Sequence, residues 1–425
     1  MTNYRKILNI ALPAMVENFL QMIMGMVDSY LVASLGLVAI SGVSVAGNII
    51  SIYQAIFIAL GAAVSSLISK SLGEGDRDNL AYHTNEAIKL TLILSVFLGL
   101  LSLVFGRQIL AWLGTEPAVA NAGGLYLALI GGMILLLGLT TTLGSLIRAT
   151  SNPRLPMYIS FLSNLLNVLF SSLAIFIFHM GIVGVALGTI LARLVGVLIL
   201  WKELSLPLAS WSWKLDWELL RLSLPAAGER LMMRAGDVVI IAIIVKFGTD
   251  AVAGNAIGEV LTQFNYMPGF GVATATVMLV AHAVGQVDFQ TVRKLTKQTY
   301  WLSLGLMLAV ALLIFALGQP LTHLYTKDSG AVTASLSVIL FSLLGVPMTA
   351  GTVIYTAVWQ GLGNAKLPFY ATTVGMWLIR IVAGYFLGVT LGLGLSGVWS
   401  ATLLDNAFRW IFLQIIYQRK MRKIT

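Results

Sequence analysis

A chain of 425 residues that is 58% hydrophobic, only 10% charged and free of cysteine is too apolar for a soluble domain and fits repeated segments of about 20 residues, the length that crosses a bilayer. The lack of cysteine excludes a disulfide framework and a thiolate metal site. The net charge of +9 would suit nucleic acid, but the basic residues cluster at the ends of apolar runs, where they report topology.

Twelve apolar spans are predicted, roughly 7–34, 40–69, 88–112, 122–147, 156–178, 182–201, 219–246, 250–281, 300–318, 332–357, 368–391 and 395–417. The fold class expected is therefore an all-α integral membrane protein. The opening MTNYRKILNIALPAMVENFL lacks a short apolar core followed by a small-residue cleavage site, and reads as a retained first span. With the N-terminus placed in the cytoplasm, eighteen Lys and Arg fall in inside segments and only Arg107, Lys246 and Lys327 outside. The positive-inside rule then predicts a plasma (inner) membrane protein with both termini cytoplasmic. No nucleic-acid partner is expected; the bilayer is.

Span 1 carries Asp28 in its outer half. Glu17, Gln21, Met24 and Asp28 follow steps of four, three and four, so they share one helical face. Burying an ionisable group in a span costs at least about 2.5 kcal/mol and marks a functional site by default. A neutral Asn or Ser would hold the helices together at less cost, so Asp28 is expected to have a functional role, with a proton or cation at its carboxylate. Pro13 stands four residues before Glu17 and should bend the span. Span 5 adds Asn164, Asn167 and Ser171 on one stripe, and span 6 adds Thr189, four residues before Arg193. Residues 203–218, KELSLPLASWSWKLDW, read as a polar, aromatic linker.

The second half is richer in charge. Span 7 places Glu229, Arg230, Met233, Arg234 and Asp237 in one stretch; span 8 adds Glu259 and Gln263, span 11 Arg380, and span 12 Asp405 and Arg409. Two readings stay open. The charges can pair internally, with Glu229, Arg380, Asp405 and Arg409 as an ordering network. Alternatively Arg230 or Arg234 binds an anionic or zwitterionic group of a substrate, in the bidentate geometry that guanidinium favours. Glu17, Gln21, Met233, Asp237, Glu259 and Gln263 complete the candidate cleft, and methionines such as Met24 and Met232 suit a promiscuous apolar surface.

The chain is written twice, at an offset of 212 residues. ALPAMVE (11–17) recurs as SLPAAGE (223–229), LGLVAISG (35–42) as FGTDAVAG (247–254), LGEGD (72–76) as VGQVD (284–288) and NPRLPMY (152–158) as NAKLPFY (364–370); GIVGV (181–185) returns as GLSGV (394–398) with one residue of slip. Six spans per half make parallel repeats, an arrangement in which transporters hold substrate between the repeats. The predicted organisation is an N-lobe over 1–202, the linker over 203–218 and a C-lobe over 219–425, two pseudo-symmetric six-helix lobes around a central cleft.

These motifs, over essentially the whole chain, resemble the multidrug and toxic compound extrusion (MATE) family. The resemblance implies a cation-coupled antiporter that expels organic, mostly cationic or amphipathic, small molecules. In that family an Asp of span 1, an Asn and an Asp of span 5 and a Thr of span 6 form an N-lobe cation site. Asp28, Asn167 and Thr189 match three of these; Ser171 stands where many members carry the second acid. Without that second carboxylate to repel it, Asp28 must rely more on desolvation to take a proton. No set of hard oxygen ligands favours a metal, so H⁺ is expected, with Na⁺ at Asp28 the alternative. This points to the proton-coupled DinF-like branch over the NorM-like one. The family's C-lobe acids are missing too, since span 10 (GVPMTAGTVIYTAVWQ) contains none.

No HExxH, GxSxG or GxxxxGK[ST] occurs and the four histidines are scattered, so neither an enzyme nor an ATP-driven pump is expected, and no cofactor or obligate protein partner. The rival reading is a flippase or exporter of the same superfamily for lipid-linked precursors or for anionic or zwitterionic metabolites.

Overall fold

The computed structural model describes residues 3–150, 152–206 and 216–424, and the described residues form helices joined by short turns. Residues 207–215 of the expected linker lie outside the described residues. In chain order the helices are α1 (Asn3–Ala33), α2 (Leu37–Glu74), α3 (Arg77–Trp112), α4 (Pro117–Gly132), α5 (Ile134–Thr150), α6 (Leu155–Phe176), α7 (Gly181–Lys202), α8 (Trp217–Ile244), α9 (Thr249–Gly285), α10 (Phe289–Ala316), α11 (Gly318–His323), α12 (Ser329–Gly361), α13 (Lys366–Thr373), α14 (Val382–Tyr385) and α15 (Gly394–Ile424). Turns of π-helix at Val374–Ile381 and Phe386–Thr390 join α13 and α14 into one continuous span.

Among the described residues nine helices are long and apolar enough to cross a membrane, and α4 with α5 makes a tenth span bent by 43°. Two more, α8 and α15, are excluded from that set by charged and polar side chains in their middles: Glu229, Arg230, Arg234 and Asp237 in one, Asp405, Asn406 and Arg409 in the other. The total is the twelve spans expected. Several helices run beyond the predicted apolar limits: α2 extends to Glu74 and α3 starts at Arg77.

By packing the chain falls into two units, Val16–Ser223 and Met1–Met15 with Leu224–Thr425. Each assignment changes within a few residues of a repeated proline, Pro13 or Pro225, both inside continuous helices. In the second unit Ile7 and Ala11 are buried in one cluster with Val272, Ala275, Ile354 and Val358. In the first, Phe57, Leu127 and Leu143 are fully buried, and α2 meets α4 so closely that a Cβ on Gly42 would lie 2.6 Å from the Gly123 nitrogen. Small residues at such crossings let membrane helices pack by van der Waals contact.

The repeat is visible in the turns. Asp76 and Asp288, 212 residues apart, each cap the helix that follows: Asp76 accepts from the backbone N–H of Asp78 and Asn79 at 3.0 Å, Asp288 from that of Thr291 at 2.9 Å. Before each Asp the chain turns through left-handed backbone, at Gly75 (φ 72°) and at Val287 (φ 57°). Glycine enters that region freely, whereas a β-branched residue is strained there. The late slip in the repeat also has a cause. The span holding Arg380 runs from Lys366 to Thr390, against Leu155–Phe176 for α6, and its π turns take up the extra residue within the helix.

Candidate functional site

In the unit Val16–Ser223, three of the four expected coupling residues meet. Asp28 on α1 is buried (9% exposed), as are Asn167 and Thr189. The Asn167 amide donates to Thr189 Oγ1 at 2.9 Å, and the Thr189 hydroxyl lies 3.4 Å from Asp28 Oδ2 and 3.0 Å from the Val185 carbonyl. That hydroxyl carries one proton and serves one acceptor at a time. Asp28 Oδ1 and Asn167 Oδ1 are both buried without a donor, so the cluster has a surplus of acceptors. Ser171 is fully buried but turns toward the Val185 carbonyl, 3.5 Å away, and packs under Gly188.

A residue outside the expected set completes the electrostatics. Arg193, one helical turn beyond Thr189, acts on Asp28 and on the buried Tyr126. Its spacing from Thr189 was the available signal, since residues four apart share a helical face. The remaining candidates of this unit are held by partners. Glu17 is ion-paired to Arg148 at the end of α5, and Gln21 accepts from the Gln54 amide at 3.2 Å. Asn164 bonds its own helix at the Ser160 carbonyl. Pro13, which belongs to the other unit, is buried within α1.

A second charge cluster of this unit lay outside sequence reasoning. His83 Nδ1 lies 2.8 Å from Asp216 Oδ2, Glu86 accepts from the Asp216 backbone N–H at 3.0 Å and also pairs with Lys89, and Lys70 bonds Glu218 at 3.0 Å. It fastens the start of α8 to α3. Nothing in local spacing links residues so distant in sequence.

In the unit holding Leu224–Thr425, Arg409 grips Asp405 in bidentate fashion, Nε and Nη2 each 2.9 Å from a carboxylate oxygen, and both residues are buried. Arg409 also reaches Asn406, Thr372 and the Met233 sulfur. Thr372 donates to Glu229 at 3.1 Å, so Glu229 joins the same chain of contacts. Arg380 donates to Thr402 at 3.0 Å and lies 3.6 Å from Asp237. Glu259 and Gln263 are exposed on α9, Arg234 is exposed on α8 and Arg230 is partly buried. The internal network thus takes Glu229, Asp237, Arg380, Asp405 and Arg409 and leaves Arg230 and Arg234 outside its ion pairs.

The MatE family model matches residues 13–173 and 225–386, about three-quarters of the chain in two stretches that begin at the repeated prolines. A probable multidrug resistance protein, NorM of Thermotoga maritima, is 27% identical over 95% of this chain and 90% of its own length. An uncharacterized transporter of Bacillus subtilis, YisQ, is 22% identical over 97% of this chain and 93% of its own. Among solved structures, a crystal structure of MATE in the bent conformation superposes with a TM-score of 0.92 at 19% identity, covering 99% of this chain and 96% of that one. That likeness carries the fold. With the repeats, the twelve spans and the family match all in agreement, the chain is a multi-pass membrane transporter that belongs to the MATE (MatE) family.

Proposed function

We propose that this transporter is a secondary active multidrug efflux antiporter, exporting organic cationic or amphipathic compounds in exchange for protons by alternating access between its two repeats. The reading of cargo leans on relatives named as probable multidrug resistance proteins. The observation that carries the ion is the acceptor surplus around Asp28: Asp28 Oδ1 and Asn167 Oδ1 are buried with no donor between them. A proton on the carboxylate turns one acceptor into a donor and relieves the mismatch. Na⁺ would draw on the same oxygens but would sit beside the fixed positive charge of Arg193, which acts on the same carboxylate and repels a cation. This supports the proton-coupled, DinF-like branch, although the named relatives carry the name NorM. The basic asymmetry of the loops supports an inner-membrane location with cytoplasmic termini.

The test is reconstitution in liposomes under a proton gradient and, separately, a Na⁺ gradient, following export of a fluorescent organic cation. The expected result is export driven by the proton gradient alone and lost in Asp28→Asn with the fold intact. Export in Asp28→Asn at the native rate would move the coupling site elsewhere.

A further inference from the structure

We propose that Arg230 and Arg234 form an anion subsite for the exported compound, so that this transporter takes zwitterionic amphipaths carrying a carboxylate, sulfonate or phosphate; the proposal rests on the export reading above. Both arginines lie in the middle of the 28-residue α8, four residues and about 6 Å of helix rise apart, hence on one face. Arg234 is exposed and Arg230 partly buried. The unit's other two mid-span arginines are committed, Arg380 to Asp237 at 3.6 Å and Arg409 to Asp405 at 2.9 Å. Among the described residues neither Arg230 nor Arg234 has a carboxylate within the 4.0 Å that defines an ion pair. Glu229, the chain neighbour of Arg230, is turned to Thr372.

A guanidinium half-way through a span is costly against hydrocarbon, and such groups face the bundle interior or a water-filled cavity. Two on one face, neither in an ion pair although Glu229 acts on Arg230 and Arg234 on Asp237 at longer range, present forks of N–H donors that match the geometry of a carboxylate or phosphate. The same unit exposes Glu259, and Asp237 keeps 41% of its side chain accessible; Asp237 acts on Glu259 across the space between α8 and α9. Positive charge on one part of α8 and negative charge toward α9 suit a cargo that carries both signs. A purely cationic cargo would meet repulsion at Arg230 and Arg234.

The experiment compares rhodamine B with its ethyl ester, which share the xanthylium cation and differ by a free carboxylate. Binding to the purified full chain is read by fluorescence polarisation. The expected result is about tenfold or tighter binding of the free acid, with that preference lost in Arg234→Gln and in Arg230→Gln while the ester binds as well as before or better. Retained ester binding reports an intact fold. Should a Gln variant fail to fold, Arg234→Lys carries the test, expected to keep part of the preference because charge remains and the fork is gone. Equal affinity of the native chain for both dyes, or a preference that survives in both Gln variants, overturns the subsite and leaves efflux standing. Binding of neither dye overturns the export reading and the subsite with it.

Discussion

Ile240 occupies in the second repeat the place that Asp28 occupies in the first, 212 residues on. The surroundings have changed with it. Thr189 has its counterpart in Thr402, whose hydroxyl accepts from Arg380 at 3.0 Å where Thr189 accepts from Asn167 at 2.9 Å. Ile240 packs with Val338, Val398 and Trp399 in an apolar cluster. One repeat keeps a carboxylate with spare acceptors, and the other has an aliphatic side chain within an apolar cluster.

Only the first repeat should therefore couple. Asp28→Asn is expected to slow proton-driven export in liposomes by about 100-fold or more, equivalent to about 2.7 kcal/mol on the barrier. Ile240→Val should leave that rate within about twofold and lower stability by about 0.5–1.5 kcal/mol. A coupling defect in Ile240→Val as deep as that of Asp28→Asn would sink the asymmetry.

The Glu17–Arg148 pair is largely buried, with side chains 15% and 11% exposed. Removing one member strands the other, at about 3–5 kcal/mol for a buried pair. Glu17→Gln and Arg148→Gln should each lower the melting temperature in detergent, and the double variant should recover a good part of the loss. Additive losses would show that the pair contributes no coupling energy.

Val287 should be the easier stabilising site. A left-handed backbone costs a side-chain-bearing residue about 1–2 kcal/mol, and the first repeat already has glycine there. Val287→Gly is expected to raise the melting temperature by that much in free energy, and Asp288→Ala to lower it by about 1 kcal/mol through loss of the cap. No gain in Val287→Gly would remove the strain argument.

The latch at Asp216 predicts a pH response. Burial pushes its carboxyl up, but the hydrogen bond and charge of His83 and the backbone N–H groups of Leu219 and Glu218 outweigh burial and hold it below its usual 3.8. A depressed carboxylate stabilises the fold fully above its unfolded value and loses that contribution as pH falls through the folded one. The native chain should thus lose stability below about pH 4 more steeply than Asp216→Asn, measured by thermal unfolding across pH. Parallel curves would separate Asp216 from acid stability.

What the sequence made legible followed from period and from cost. Apolar length gave the spans, the internal offset gave the repeats, and the expense of a buried acid pointed to Asp28, which the fold brings to Asn167 and Thr189. Ser171 shares the helical stripe of Asn167 yet bonds toward Val185; a stripe fixes the face of a side chain and leaves its rotamer open. Arg148 counted only as a loop cation because its partner Glu17 lies 131 residues away. The cluster of His83, Glu86 and Asp216 was hidden for the same reason. Long-range pairing leaves no mark on local spacing.

The place where each repeat ends as a packed body differs from the place where it ends as a sequence. The first turns of α1, up to Met15, belong with Leu224–Thr425, while the first turns of α8, through Ser223, belong with Val16–Ser223. A gene cut in the linker would yield two fragments that each carry a piece of the other's core. The two halves of this sequence are therefore expected to fold as complements and not singly. Co-expressed fragments should restore a working protein where either one alone is degraded.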